Sequence, residues 1–251
     1  MRSAGRGTGA NKLQTYAIED LMRLLLCLPL LTGCLSVPEP EEGWVQIAER
    51  GGDTLSALGL EGKRLPRLRG EGVIAGDALE VIAVIADVAR SAEWVPHMVE
   101  ARHLEPPSNE ATWVYQRGRA PIPANVIVWD RDVVMHTTLM ITERGQAWRA
   151  EFEARAPERV PVPERVVRMP RLSGHAEVSR TEDGRALVVF EIEADAGGQV
   201  PESVKLFVIQ ELPFEMLSAL RKRVERKGQD YAGLVDRWRA DGVDLSVIGS
   251  L

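Results

Sequence analysis

Beyond position 34 the chain has no cysteine, and the two it does have, Cys27 and Cys34, lie in a single apolar run from Leu24 to Leu35. A disulfide framework is therefore not expected. Histidine is scarce too. His97, His103, His136 and His175 are the four, and none stands at ligand spacing from another histidine or a cysteine, so no metal site is expected. Positive charge is in deficit, with 31 Lys and Arg against 37 Asp and Glu and a net charge of −6. Nucleic-acid binding, which needs a basic patch, is not expected. No apolar run reaches the roughly 20 residues of a transmembrane helix. Nucleophile elbow, paired acid motif and phosphate loop are all missing, since Gly5-Arg6-Gly7-Thr8-Gly9 is not a phosphate loop. What remains, 251 residues of which 45% are hydrophobic, suits one soluble domain with tails.

The run Leu24 to Leu35 has the length of a signal-peptide core. It ends in Leu31-Thr32-Gly33-Cys34, which resembles the bacterial lipobox, in which a small residue precedes a cysteine that is lipidated and becomes the mature N-terminus. Glu19 and Asp20 sit where such a leader normally carries positive charge, so translation from Met1 and from Met22 both remain open. Residues 1–33 are thus expected to be a signal peptide. Residues 34–42, with Pro38, Pro40 and three glutamates, are expected to be a tether. The mature protein would be anchored at Cys34 without spanning the membrane. Leu35, rather than Asp, after that cysteine favours the outer membrane, facing the periplasm.

A domain over 43–227 follows. Trp44, Val45, Ile47 and Ala48 before Gly51-Gly52 give a pattern expected to be a short helix. Strands are expected at Thr54 to Leu58 and Leu65 to Ala75, where Gly70 and Gly72 leave room for a bulky approach or a sharp bend. Asp77 and Glu80 have capping-box spacing ahead of a buried helix to Val88. Further strands are expected at Val99 to Leu104, Thr112 to Gly118, Trp129 to about Thr142, Trp148 to Ala154, Leu172 to Arg180 and Val188 to Ala194. Turns or loops join them at Pro106-Pro107-Ser108-Asn109, at 120–124, at the proline-rich 157–163 and at Glu182-Asp183-Gly184. The alternation of Trp148, Ala150, Phe152 and Ala154 against Arg149, Glu151 and Glu153 marks strands with one wet face. Val200 to Lys227 reads as a long helix with an apolar stripe, kinked at Pro213 and stopped at Gly228. An α+β antiparallel meander covered by that helix is the expected architecture, followed by a tail over 228–251.

This order, together with Glu93-Trp94-Val95-Pro96, Asp130-Arg131-Asp132-Val133-Val134, Ser173-Gly174 and Gly197-Gly198 before Pro201, resembles the START lipid-transfer domains of the Bet v 1-like, SRPBCC superfamily. The resemblance runs from about Glu42 to Lys227. It implies a helix-grip fold, a curved antiparallel sheet wrapped around a long C-terminal helix with two shorter helices. It also implies an apolar tunnel that takes one lipid or sterol, with no cofactor, in what is expected to be a monomer.

The expected lining is Trp113, Met135, Trp148, Phe152, Phe190, Ile192, Val204, Phe207, Val208 and Leu212, each of which would fit a solid core equally well. Arg131 would hold a lipid head group or pair with Asp130 or Asp132. His136 is the candidate base if the chain is instead a cyclase-like enzyme of the same superfamily. A third reading is an envelope lipoprotein that binds protein partners without a ligand. Its contact would be the helical spacing of Tyr231, Leu234, Val235 and Trp238 in the tail, though this stripe would also pack back on the domain.

Overall fold

Gly51 and Gly52 both take positive φ, +59° and +89°, a backbone that glycine adopts freely and that suits a two-residue hairpin turn. They join β1 (Trp44–Arg50) to β2 (Asp53–Leu58), with Arg50 opposite Asp53. This corrects the helix expected over Trp44 to Ala48. Short apolar runs fit either period, and the glycine pair decides for the strand. The computed structural model describes residues 43–59, 66–106, 111–120, 128–141 and 147–240. The expected leader, lipobox and tether lie outside the described residues, as do 107–109 of the first expected turn and 121–124 of the second loop.

The chain continues through β3 (Arg67–Ile74), α1 (Ala78–Ala86), a 3₁₀ segment (Val88–Glu93), β4 (Met98–His103), β5 (Ala111–Gly118), β6 (Asp130–Ile141) and β7 (Ala147–Ala154). Then come β8 (Val166–Arg168), β9 (Arg171–Arg180), β10 (Ala186–Asp195), α2 (Glu202–Gln210), α3 (Leu212–Lys227) and α4 (Ala232–Ala240). The strand order is β1-β2-β3-β10-β9-β7-β6-β5-β4, antiparallel throughout, and β8 pairs in parallel with the stretch of β6 that β7 leaves open. One sheet therefore runs through the domain, with the helices against its inner face.

Register decides what that face carries. Leu68, Gly70, Gly72 and Ile74 of β3 stand opposite Ile192, Phe190, Val188 and Ala186 of β10. The two glycines do leave room, and α3 takes it. A Cβ on Gly70 would lie 3.1 Å from the Pro213 Cβ, and one on Gly72 would lie 2.3 Å from Asp53 Oδ1 and 3.2 Å from Leu217. Buried Asp53 accepts hydrogen bonds from Arg221 of α3 at 2.7 and 3.3 Å, so a charge pair fixes the helix where the glycines admit it. The expected kink is a break at Glu211 between α2 and α3, and Pro213 stands in the first turn of α3, where its missing N–H costs nothing.

Asp77 caps α1 by accepting from the Leu79 N–H at 2.8 Å. Leu79, Ile82, Leu217, Leu220 and Val224 then close a core on Ile74, Trp148, Val178 and Val188. Fully burying a side chain of this size contributes about 1.5–3 kcal/mol relative to leaving it exposed. Gly228 does not act as the expected left-handed stop: it is helical, with φ −55°, and buried near Glu80. The chain passes through a 3₁₀ turn into α4. Tyr231 and Val235 enter the same core, and the Tyr231 hydroxyl donates to Asp87 at 2.9 Å. Residues 228–240 of the expected tail thus pack on the domain, which removes their stripe as a free protein contact.

The outer face is a lattice of charges. Asp132, fully buried, accepts both Nε and a terminal nitrogen of Arg168 at 2.7 and 3.0 Å, which straps the proline-rich segment across β5 and β6. Val160 of that strap covers Tyr115 and Val134. Burial, with Asp132 close by, pushes the Tyr115 phenol up to about 12. His175, on the outer side of β9, is buried beneath Arg149, whose terminal nitrogen lies 3.0 Å from Nδ1. Burial, followed by Arg149, Arg69 and Arg67, pushes its pKa down to about 4.

Two outcomes are expected. Gly72→Ala places a methyl against Asp53 and Leu217 and should cost about 1–3 kcal/mol in urea unfolding. A variant as stable as the parent would show that the helix does not need that approach. For His175 the folded pKa lies below the unfolded value, so the unfolded chain binds more protons between pH 6.5 and about 4, and stability falls as pH drops through that window. His175→Gln should flatten this slope by roughly 1.4 kcal/mol per pH unit in mid-window, as measured by unfolding free energies at a series of pH values.

Candidate ligand-binding site

The inner face is not filled evenly. At the end closed by α1, α3 and α4, the inward side chains are sealed: Trp148 is 3% exposed, Val178 and Val188 0%. Farther along the same strands, inward residues keep accessible surface. Phe152, Ile192 and Ala194 are half-buried, as are Phe207 and Val208 of α2, while half-buried Phe190 packs on the sealed core. Met135, at 5%, and Leu172, at 8%, form the floor between them with Val114 and Val133. This half of the face has apolar walls and incomplete cover, which a packed core does not leave.

Of the expected lining, Met135, Phe152 and Ile192 lie together on this part of the face, and Phe190 packs on the sealed core. Val204, which is buried, and half-buried Phe207 and Val208 belong to α2, and half-buried Leu212 stands at the start of α3. Trp148 is on the face but belongs to the sealed core. Trp113 and His136 are corrections. They stand opposite each other on β5 and β6, one register step from Val114 and Met135, and so project to the outer side. Their rings lie 4.9 Å apart, and the Arg159 guanidinium sits 4.4 Å over the indole. His136 is thereby removed from the inner face as a base.

The same alternation turns other polar groups inward that were not expected there. His103 opposes Val114, and its Nδ1 lies 2.8 Å from the hydroxyl of buried Thr112. Burial lowers the His103 pKa, so the ring is neutral at pH 7 and can either donate or accept a hydrogen bond. Gln116 opposes Val133 on the same side. Period-two counting outward from Val114 would have found both residues.

Arg131 is the inward residue of Asp130-Arg131-Asp132. Its two neighbours face outward, where Asp130 lies 3.6 Å from Arg117 and 3.8 Å from Arg119 and Asp132 binds Arg168. Neither forms the pair expected with Arg131. The guanidinium instead donates to three carbonyls, those of Ala196 and Gly197 at 3.2 Å and of Trp129 at 2.6 Å. Burial lowers its pKa. The turn it holds takes φ +64° and +61° at Gly197 and Gly198, and the Gly197 N–H donates to Asp195 Oδ1 at 2.9 Å. Across the site, His97 lies 3.1 Å from Glu215 of α3 and meets the Phe207 ring edge-on at 5.5 Å, which ties α2 and α3 to the edge of the sheet. Arg50 grips the helix break, binding Glu211 at 2.6 and 2.9 Å.

No group of three or more His, Cys, Asp and Glu among the described residues is arranged to hold a metal ion. No protein-family model matches the chain. An uncharacterized protein of Pseudomonas aeruginosa is 26% identical over 186 residues, which span 74% of this chain and 89% of that one. The crystal structure of a STAR-related lipid transfer protein from Xanthomonas axonopodis is 27% identical and superposes with a TM-score of 0.64, covering 73% of this chain and 99% of that one. Human StAR-related lipid transfer protein 5 is 15% identical with a TM-score of 0.65, covering 85% of this chain and 94% of that one. Sheet order, the gripped C-terminal helix and these likenesses agree, and the chain has the START-type helix-grip fold of the Bet v 1-like superfamily.

Proposed function

We propose that the chain binds a lipid or similar hydrophobic ligand between the inner face of the sheet and α2, and carries it within a bacterial cell envelope. The observation that carries this reading is the contrast in burial along one face. Inward residues are sealed beside α1 and α4, while Phe152, Ile192 and Ala194 keep accessible surface around Met135 and Leu172. An apolar wall of this kind gains by covering with an apolar molecule, at roughly 25 cal/mol per Å². Likeness to the Xanthomonas STAR-related lipid transfer protein supports the same reading. A binder is favoured over a catalyst because His136, the candidate base, lies on the outer side. Anchoring at Cys34 rests on Leu31-Thr32-Gly33-Cys34 in the sequence.

Native mass spectrometry with lipid extraction tests the reading. A co-purifying apolar molecule near one per chain is expected, and an empty protein that takes up no lipid or sterol probe would refute it. Ile192→Trp should lower uptake of such a probe several-fold while changing unfolding stability by less than about 1 kcal/mol. A solid core would show the reverse, with an overpacking cost of about 1–3 kcal/mol and no change in uptake. Cys34→Ala should release the protein into the soluble periplasmic fraction, and retention in the membrane fraction would remove the anchor.

A further inference from the structure

The binding reading leaves the head of the ligand open, and one side chain bears on it. Among the inward residues of β5, β6 and β7, Arg131 is charged and the others are apolar or neutral polar, and the Glu215 carboxylate across the site is engaged by His97. Strand alternation turns both flanking carboxylates outward, and each is engaged there, Asp130 by Arg117 and Arg119 and Asp132 by Arg168. Among the described residues no carboxylate pairs with Arg131. Its partners are the carbonyls of Ala196, Gly197 and Trp129. Carbonyl oxygens satisfy hydrogen bonds but bring no formal charge, so the guanidinium stays a net cation in partly desolvated surroundings. A cation placed so is costly unless an anion meets it. Desolvation is the cause that lowers its pKa, with no nearby charge opposing it.

We propose that Arg131 makes the site selective for amphiphiles with an anionic head, a carboxylate or a phosphate, whose tail lies along the wall formed by Ile192, Ala194 and Phe152. The inference rests on the ligand-binding reading and narrows it. The planar guanidinium fork matches the two oxygens of either head group. A head that meets it exchanges carbonyl partners for a full charge. The apolar wall is indifferent to the head, so the charge alone separates anionic from neutral amphiphiles of equal tail.

The test uses the full chain and displacement of the neutral dye Nile red by dodecanoate, monododecyl phosphate and dodecanol, at pH 8 and low salt. Both anions should compete about tenfold or more better than dodecanol. A preference for only one anion identifies the head group the site takes. Dodecanol competing as well as both anions overturns the proposal while leaving the cavity in place. Failure of Nile red and all three amphiphiles to bind overturns the ligand-binding reading and this inference with it. Arg131→Met should keep dodecanol affinity and lose the anion preference; a variant that keeps the preference overturns the assignment to Arg131. Should that variant not fold, Arg131→Lys, which retains the charge without the fork, must still prefer the anions over dodecanol, and its failure to do so overturns the proposal.

Discussion

The contact on which the rest of the domain depends is the close approach of α3 to β3. Two residues without side chains, Gly70 and Gly72, let Pro213 and Leu217 come within van der Waals range of the sheet backbone, and Arg221, paired with buried Asp53, fixes the helix there. A helix admitted so deeply at one strand fills the space above its neighbours. Trp148, Val178 and Val188 are sealed in consequence. Because the chain breaks at Glu211, the segment before the break is not drawn down by the same contacts. The inner face around Met135 and Leu172 keeps apolar walls and partial cover. The position of the site is therefore a by-product of where one helix is allowed to touch.

Much of this was legible in the sequence. Alternation located β3, β5, β6, β7, β9 and β10 to within a few residues, and Pro213 marked the interruption of the last helix. Gly70 and Gly72 left a close approach and a sharp bend both open in the sequence, and the packing of Pro213 and Leu217 is what decides for the approach. The errors have one physical origin, which is that local pattern does not say which face is inside. Trp113 and His136 look like lining because they are large or reactive, yet each is one step out of register with Val114 and Met135. Applied strictly across β4, β5 and β6, the same period would have exchanged them for His103, Thr112 and Gln116. Trp44 to Ala48 failed differently. Seven residues cannot distinguish periods of 3.6 and 2, and the glycine pair that follows carried the information.

Helix ends were the least legible. Gly228 looks like a stop because glycine so often ends helices in a left-handed conformation. Here its backbone is helical, and the chain continues through a 3₁₀ turn into α4. Tyr231 and Val235 close the core from a segment whose composition resembled a tail. A stripe of four apolar residues in a polar segment fits a partner surface and a docking helix equally. The packing of this segment on α1 decides between them.

The distribution of charge follows the same division between faces. Outside, arginines and carboxylates on adjacent strands stand as neighbours and pair: Arg67 with Glu191 and Glu193, Arg149 with Glu151 and Glu177. Exposed pairs of this kind add little stability individually, with a median near 0–1 kcal/mol, but they suit a wet face that must not attract the inner side chains of another copy. Asp132 is different, being wholly buried and doubly bonded to Arg168, and its loss would leave that cation unpaired under the strap. Strand parity thus gives Asp130 and Asp132 arginine partners on the outer face and denies a carboxylate to Arg131, which lies between two acids in sequence and beside neither in space. Asp130-Arg131-Asp132 reads as a neutralised cluster along the chain. Folded into a strand, it delivers two negative charges to one face and one positive charge to the other.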